Sequence, residues 1–299
     1  MTEKKIAFVL GGGGARGALQ VGALRALLEA DIHPQLIAGT SVGAINGASL
    51  ANYGFDDDGI AMMEASWHDA AQASLLPSNY LWLTIRALFN KTGSHPVHRM
   101  EQFFIEHGIT PDLKFEDLKH PLLIVSADLN ATRPIIFGRN PAESVLESLL
   151  ASTALPPWIH PLEKDGRFLI DGGVVSNLPI EPVLQQGATE IIALDLSDPA
   201  GMPQAAQGFG SFFDKLITTI EQRQLALELA LARAHQVTVH HILLKGKEPV
   251  PIWDFQHTDE LIKTGYQITK ESIAGWQSEE QTKQNWFMQL AEKIKHWNE

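Results

Sequence analysis

The apolar positions of this chain fall into two kinds of run. Short continuous blocks of β-branched and large apolar residues occupy positions 6–10, 36–38, 122–127, 135–137, 168–170, 191–196 and 237–244. Blocks this short, without polar alternation, read as strands buried on both faces. Helical spacing fills many of the intervals. It is clearest over 15–30, where Leu19, Ala23, Ala26, Leu27 and Ala30 share one stripe. Buried strands alternating with helices predict a three-layer α/β/α sandwich with a largely parallel central sheet.

The 299 residues are expected to form a single domain: a core over about 6–196, a helical insertion over about 56–108 and a C-terminal helix-and-strand extension over about 201–299. The insertion carries Trp67, Leu75, Leu76, Trp82, Leu83, Leu88 and Phe89. That content predicts a helical layer on the core, or alternatively an apolar rim beside the site. A further helical block spans 212–235. The tail carries Trp286, Phe287, Leu290, Ile294 and Trp297 at helical spacing. It is expected to pack on the domain rather than lie in a lipid interface.

Composition narrows the partners. A hydrophobic fraction of 44% with 19% charged residues suits a sizeable core. The net charge of -12 opposes general binding to nucleic acid or purely electrostatic attachment to anionic lipid. The absence of cysteine excludes disulfides, thiolate metal sites and a cysteine nucleophile. The apolar run 6–10 is short and ends in four glycines, so it is expected to be a first strand rather than a leader. No run reaches the ~18 apolar residues of a membrane span, and a cytoplasmic protein is expected.

Chemistry concentrates at three places. In Gly39-Thr40-Ser41-Val42-Gly43 an apolar strand enters a sharp turn and a helical pattern leaves it. A serine on such a turn presents its hydroxyl as a nucleophile. Gly11-Gly12-Gly13-Gly14-Ala15-Arg16-Gly17 sits where the first strand meets the first helix, so its backbone N–H groups face any negative charge there. The Gly12-x-Gly14-x-x-Gly17 spacing matches a dinucleotide fingerprint, but the second strand ends in Gly39-Thr40-Ser41 rather than an acidic residue, and Asp31 comes too early. Ala18 stands where a P-loop needs lysine. Side-by-side first and second strands would instead bring the amides of Gly12, Gly13 and Gly14 to Ser41 as an oxyanion hole. Arg16 in a first helical turn opposes the helix dipole and calls for a bound anion or an ion pair.

A serine nucleophile needs a base. His235, His240 and His241 follow the acidic residues in Ser–Asp–His order, but His240 and His241 fall inside a strand. His95 and His98 lack a third metal ligand, and Asp56-Asp57-Asp58 reads as a helix start rather than a calcium site. In Asp171-Gly172-Gly173 a strand delivers a carboxylate into a turn. Such a group serves as a base only in a sheltered site, hydrogen-bonded directly to the hydroxyl.

The ordered set Gly12-Gly13-Gly14-Ala15-Arg16-Gly17, Gly39-Thr40-Ser41-Val42-Gly43 and Asp171-Gly172-Gly173 resembles the patatin-like phospholipase family, as does Ala151-Ser152-Thr153-Ala154-Leu155-Pro156. The likeness runs over about 6–196. It implies a Ser41–Asp171 dyad without histidine, an oxyanion hole at Gly12, Gly13 and Gly14, and Arg16 supporting that loop or a substrate phosphate. It also implies hydrolysis of fatty-acyl esters of phospholipids or related lipids through an acyl-enzyme, with no cofactor and no metal. The implied partners are a lipid substrate and, transiently, the membrane surface that presents it. Two other readings stay open. One is an α/β-hydrolase triad using Asp195 or Asp198 with one of His235, His240, His241 and His257. The other is a non-catalytic adaptor retaining the site.

Overall fold

A computed structural model describes residues 4–73, 95–156, 159–197 and 209–297, with the backbone alone at 95–96, 209–214, 277 and 279–297. Strand β1 (Ile6–Leu10) leads through the glycine loop to α1 (Ala18–Glu29). Strand β2 (Leu36–Thr40) runs straight into α2 (Val42–Tyr53), followed by α3 (Asp57–Ala73) and α4 (His95–Glu106). Strands β3 (Leu122–Asp128) and β4 (Arg133–Phe137) form a hairpin. Helix α5 (Val145–Ser152) precedes a second hairpin, β5 (Leu162–Lys164) and β6 (Arg167–Asp171). Then come α6 (Ile180–Gln185), β7 (Glu190–Asp195), α7 (Phe209–Ala234), β8 (Thr238–Leu243) and α8 (Thr258–Trp297).

All eight strands among the described residues join one sheet. The strands β8, β7, β1, β2 and β3 are neighbours in that order and parallel, while β4, β5 and β6 are antiparallel additions. Both faces of the parallel part are apolar because side chains alternate along each strand. Phe8, Leu10, Ile37, Ile124, Ile192 and Leu194 pack into one cluster with α1, α2 and α3. Ala7, Val9, Leu36, Ala38, Leu123, Ile191 and Ala193 pack into another with Val183, Leu225 and Leu229 of α6 and α7. Burying each large side chain contributes about 1.5–3 kcal/mol, so helices on both faces are what the continuous apolar strands demand.

Most expected strands lie where the apolar blocks put them. The short β5 was not expected. It is closed onto β6 by Asp165 and Gly166, both at positive φ (51° and 73°), as in a two-residue hairpin turn. The first helix opens with a 3-10 turn over Gly14–Gly17 before becoming regular at Ala18. The tail helix begins far earlier than expected, at Thr258. It crosses α1 backbone against backbone: a Cβ on Gly22 would lie 1.8 Å from the Ile262 carbonyl oxygen, and one on Gly265 would lie 1.9 Å from that of Leu19. Leu75, Leu76, Trp82, Leu83, Leu88, Phe89 and Asp198 lie outside the described residues, as do the side chains of Trp286, Phe287, Leu290, Ile294 and Trp297. Asp56 accepts the Gly59 N–H at 2.8 Å and so starts α3, with Asp57 and Asp58 in its first turn. Among the described residues no helix is long and apolar enough to cross a membrane.

One detail of register positions the site. Ile124 and Val125 of β3 pair with Gly39 and Thr40 of β2 and also with Phe137 and Ile136 of β4. Ser126 to Asp128 pair with β4 as well, but their other partners are Asp171, Ile170 and Leu169 of β6. A strand has only two edges, so β2 and β6 share the edge opposite β4. Strand β2 ends beside Val125 and β6, running the other way, ends beside Ser126. The residues at and just past these ends, Asp171 and Ser41, therefore meet tip to tip.

Candidate active site

Ser41 caps α2 with φ 54° and ψ −125°, outside the regions an L-residue prefers. Strain of this kind costs about 1–3 kcal/mol and persists only where neighbours hold it. Here the Ser41 N–H donates to Ser152 Oγ at 2.9 Å, and Ser152 Oγ donates to the Val125 carbonyl at 2.6 Å. The turn fits because the residues two positions to either side, Gly39 and Gly43, lack Cβ. One on Gly39 would stand 2.3 Å from the Gly43 carbonyl oxygen, and one on Gly43 would stand 2.1 Å from that of Leu10.

Asp171 is 3% exposed. Its N–H donates to the Ala154 carbonyl at 2.9 Å, so the 151–156 segment holds both Ser41 and Asp171. Asp171 Oδ1 accepts the Gly173 N–H at 2.8 Å, and the Ser41 side chain lies close enough to the carboxyl to act on its proton affinity. Burial pushes the Asp171 carboxyl up to about 6, while the neighbouring Ser41 hydroxyl and the Gly173 N–H pull it down. The result is a carboxylate ionised at neutral pH that is more basic than an exposed one.

The glycine loop closes the other side. Its amides are not equivalent, and the expectation for Gly12 needs correction. The Gly12 N–H donates to the Asn177 carbonyl at 3.1 Å and is therefore already engaged. Gly12 serves instead as a thin wall: a Cβ there would lie 2.4 Å from Asn177 Oδ1 and 3.1 Å from the Ser41 Cβ. The N–H groups of Gly13 and Gly14 have no acceptor among the described residues, and both glycines line the cavity over Ser41. Arg16 Nε and N–H donate to the Gly13 carbonyl at 3.2 and 3.3 Å, gripping the loop from its own helix. A trans peptide sends C=O and N–H in opposite directions, so this grip turns the Gly14 N–H to the other side.

Ser41 and Asp171 open into a cavity of about 250 Å³. Its walls are mostly apolar, with Met63 and Trp67 of α3 and Met100, Phe103 and Phe104 of α4 on the insertion side. A buried polar chain fixes that wall to the glycine loop. The Trp67 indole N–H donates to Asn46 Oδ1 (2.9 Å), Asn46 Nδ2 donates to Gln20 Oε1 (2.9 Å), and Gln20 Nε2 donates to the Gly11 carbonyl (2.9 Å). The C-terminal part supplies Ile252, Phe255 and, from α7, Ile217, Thr218, Ile220 and Glu221.

Glu221 carries no sequence signal. Burial pushes its carboxyl up to about 7; Arg16 lowers it, and the charges of Asp195 and Asp171 raise it further. Nothing in the spacing of α7 marks this carboxylate out. Only the fold turns it into the cavity.

The histidines considered as a triad base lie elsewhere. His241 Nε2 pairs with Asp195 Oδ2 at 2.9 Å across β8 and β7, and His240 Nε2 pairs with Glu190 Oε1 at 3.0 Å. His257 lies between Asp254 and Glu260. None of these, nor His235, lines the cavity; among the described residues its histidine is His107, which binds the Phe103 carbonyl and Asp69. His98 pairs with Glu101 at 3.6 Å, and the described residues contain no group of three His, Asp or Glu able to hold a metal ion.

The family described as patatin-like phospholipase matches residues 8–184. Patatin-like phospholipase domain-containing protein 7 of Rattus norvegicus is 29% identical over 287 residues, covering 89% of this chain and 20% of that protein. Lysophospholipase nte1 of Aspergillus terreus is 28% identical over 292 residues, covering 91% of this chain and 18% of that protein. The chain thus spans about a fifth of the length of these relatives. Among solved structures, VipD from Legionella pneumophila is similar with a TM-score of 0.48 and 14% identity, over 92% of this chain and 67% of that one.

Proposed function

The chain belongs to the patatin-like phospholipase family, and from that premise we propose that it is a lipid acyl hydrolase working through a Ser41–Asp171 dyad. The observation that carries the reading is the Ser41 side chain set beside a buried, basic Asp171 at an apolar cavity. The proposed substrate is a fatty-acyl ester of a phospholipid or related lipid. Its chain lies against Met63, Trp67, Met100 and Phe104, and its ester carbonyl lies over Ser41.

In the first half-reaction Asp171 takes the Ser41 hydroxyl proton as Oγ bonds to the acyl carbon. The carbonyl oxygen becomes an oxyanion between the Gly13 and Gly14 N–H groups, each such donor being worth about 3 kcal/mol in the transition state. Arg16 holds the loop through the Gly13 carbonyl. Collapse breaks the ester C–O bond, and the departing alcohol oxygen takes the proton from Asp171. In the second half-reaction Asp171 deprotonates a water that attacks the acyl-enzyme. Free fatty acid leaves and Ser41 recovers its proton.

The name of the Aspergillus relative makes a lysophospholipid the first substrate to test. The decisive experiment is a panel of p-nitrophenyl acyl esters, lysophospholipids and diacyl phospholipids, run with wild type and Ser41→Ala. A fluorophosphonate probe mapped by mass spectrometry accompanies it. Hydrolysis and labelling at Ser41, both lost in Ser41→Ala, are expected. A wild type that is silent on the panel and unlabelled, beside a labelled control hydrolase, refutes the reading.

A further inference from the structure

We propose that Gln224 and Glu228 of α7 are positioning residues that hold the Ser41–Asp171 site in register by clamping the segment after Asp171-Gly172-Gly173. This rests on the reading of the site given above. Both residues lie beyond position 184, where the family match ends.

Residues 174–177 form a hub. One side-chain amide takes two of the hub's backbone groups: Gln224 Nε2 donates to the Val174 carbonyl at 2.8 Å, and Gln224 Oε1 accepts the Asn177 N–H at 3.1 Å. One turn along the helix, Glu228 Oε1 accepts the Ser176 hydroxyl at 2.5 Å and Oε2 accepts the Glu181 N–H at 2.7 Å. The same segment is tied to each part of the site. Asp171 precedes it in the chain. The Ser176 carbonyl accepts Thr40 Oγ1 at 2.8 Å, one residue before Ser41. The Asn177 carbonyl accepts the Gly12 N–H at 3.1 Å, and Asn177 Nδ2 donates to the Gly12 carbonyl at 3.5 Å.

Packing alone does not call for these two side chains. Leu225, Leu229 and Ala232 already seat α7 on the apolar face of the sheet. Glu228 is 8% exposed, and burial raises its carboxyl above the ordinary range. A buried carboxylate costs stability that an apolar residue would not. What Gln224 and Glu228 add is directional. Gln224 fixes two peptide groups whose other ends bond the Asp171 turn (Val175 N–H to the Gly172 carbonyl) and the nucleophile turn (Ser176 carbonyl from Thr40 Oγ1). Glu228 holds the Ser176 side chain between them, and Asn177 passes the constraint to Gly12. A small displacement of such groups is enough to lose about 100-fold in rate.

The test uses the full chain and two readouts. The first is hydrogen exchange of peptides spanning residues 8–17, against α1 as an internal reference. The second is steady-state hydrolysis of a p-nitrophenyl acyl ester. Gln224→Ala is expected to speed exchange at Gly12 about tenfold with α1 unchanged, and to lower kcat about 10- to 100-fold with KM within about twofold. Gln224→Glu keeps the acceptor for the Asn177 N–H and is expected to restore most of the protection. Ser176→Ala removes a single bond of the clamp and serves if Gln224→Ala does not fold. Wild-type exchange or wild-type kcat in a folded Gln224→Ala protein overturns the clamp, while an active wild type and a dead Ser41→Ala leave the hydrolase standing. If the wild type hydrolyses nothing on the panel, the hydrolase reading falls and the exchange at Gly12 alone decides the clamp.

Discussion

Replacing Asp171 by asparagine is expected to abolish hydrolysis and yet make the protein more stable at neutral pH. Raising a carboxyl from 3.8 to about 6 means that its ionisation costs about 3 kcal/mol more in the fold than in the unfolded chain, at about 1.4 kcal/mol per tenfold change in proton affinity. The sign follows from the raised value. Below pH 3.8 the group is neutral in both states and carries no penalty. The penalty grows as pH rises through the window and is complete above about 6. Asp171→Asn keeps an oxygen for the Gly173 N–H, which now contacts Asp171 Oδ1 at 2.8 Å. Its amide has the neighbouring Ser41 Oγ as an acceptor. The variant should therefore exceed wild type by up to about 3 kcal/mol at pH 7, or roughly 5–10 °C in midpoint for a chain of this size. The gain should vanish near pH 4. Urea titrations of both proteins from pH 4 to 8 measure the difference directly. Glu221 titrates in both proteins, and losing the Asp171 charge that raises it shifts the difference in the same direction. A difference that stays flat across this range refutes the claim that burial raises Asp171.

Three further outcomes follow from the same geometry. Because the dyad needs Asp171 ionised, kcat/KM for an uncharged ester should fall about tenfold per pH unit below about 6 while the fold persists; a level profile down to pH 4.5 contradicts it. Ser41 sits at φ 54°, so Ser41→Gly should stabilise the chain by about 1 kcal/mol and Ser41→Ala should not, as read from thermal midpoints of the two inactive variants. His241 binds Asp195 away from the cavity, so His241→Gln should keep kcat/KM within about twofold of wild type; a loss of two or more orders of magnitude with the fold intact would revive a triad.

Much of this protein can be read along the chain because its causes are local. Continuous apolar blocks mark strands that must be covered twice, and Phe8 and Val9 do go to opposite faces. Gly39 before Ser41 marks a turn too tight for Cβ, where one would strike the Gly43 carbonyl four residues on, so that demand is local, whereas Gly43 makes room for the Leu10 carbonyl of β1. Even β5, which the apolar pattern missed, left a local trace in Asp165-Gly166. The serine, the aspartate and the glycine loop were therefore legible as parts, and their order carried the family resemblance.

How the parts meet was not legible, because it depends on contacts far apart in sequence. Ser41 reaches Asp171 only because β6 takes over the edge of β3 where β2 stops, a matter of two strand registers that join residues far apart in the chain. The basicity of Asp171 comes from burial, a property of everything packed around it. The Gly12 amide looked available in the sequence and is taken by Asn177. Glu221, Gln224 and Glu228 look like ordinary polar positions of a helix until α7 is laid against the site. Sequence alone determined which groups are present and which turns expose them. Tertiary structure decided which are buried, engaged or free, because desolvation and hydrogen-bond competition exist only once distant segments share the same space.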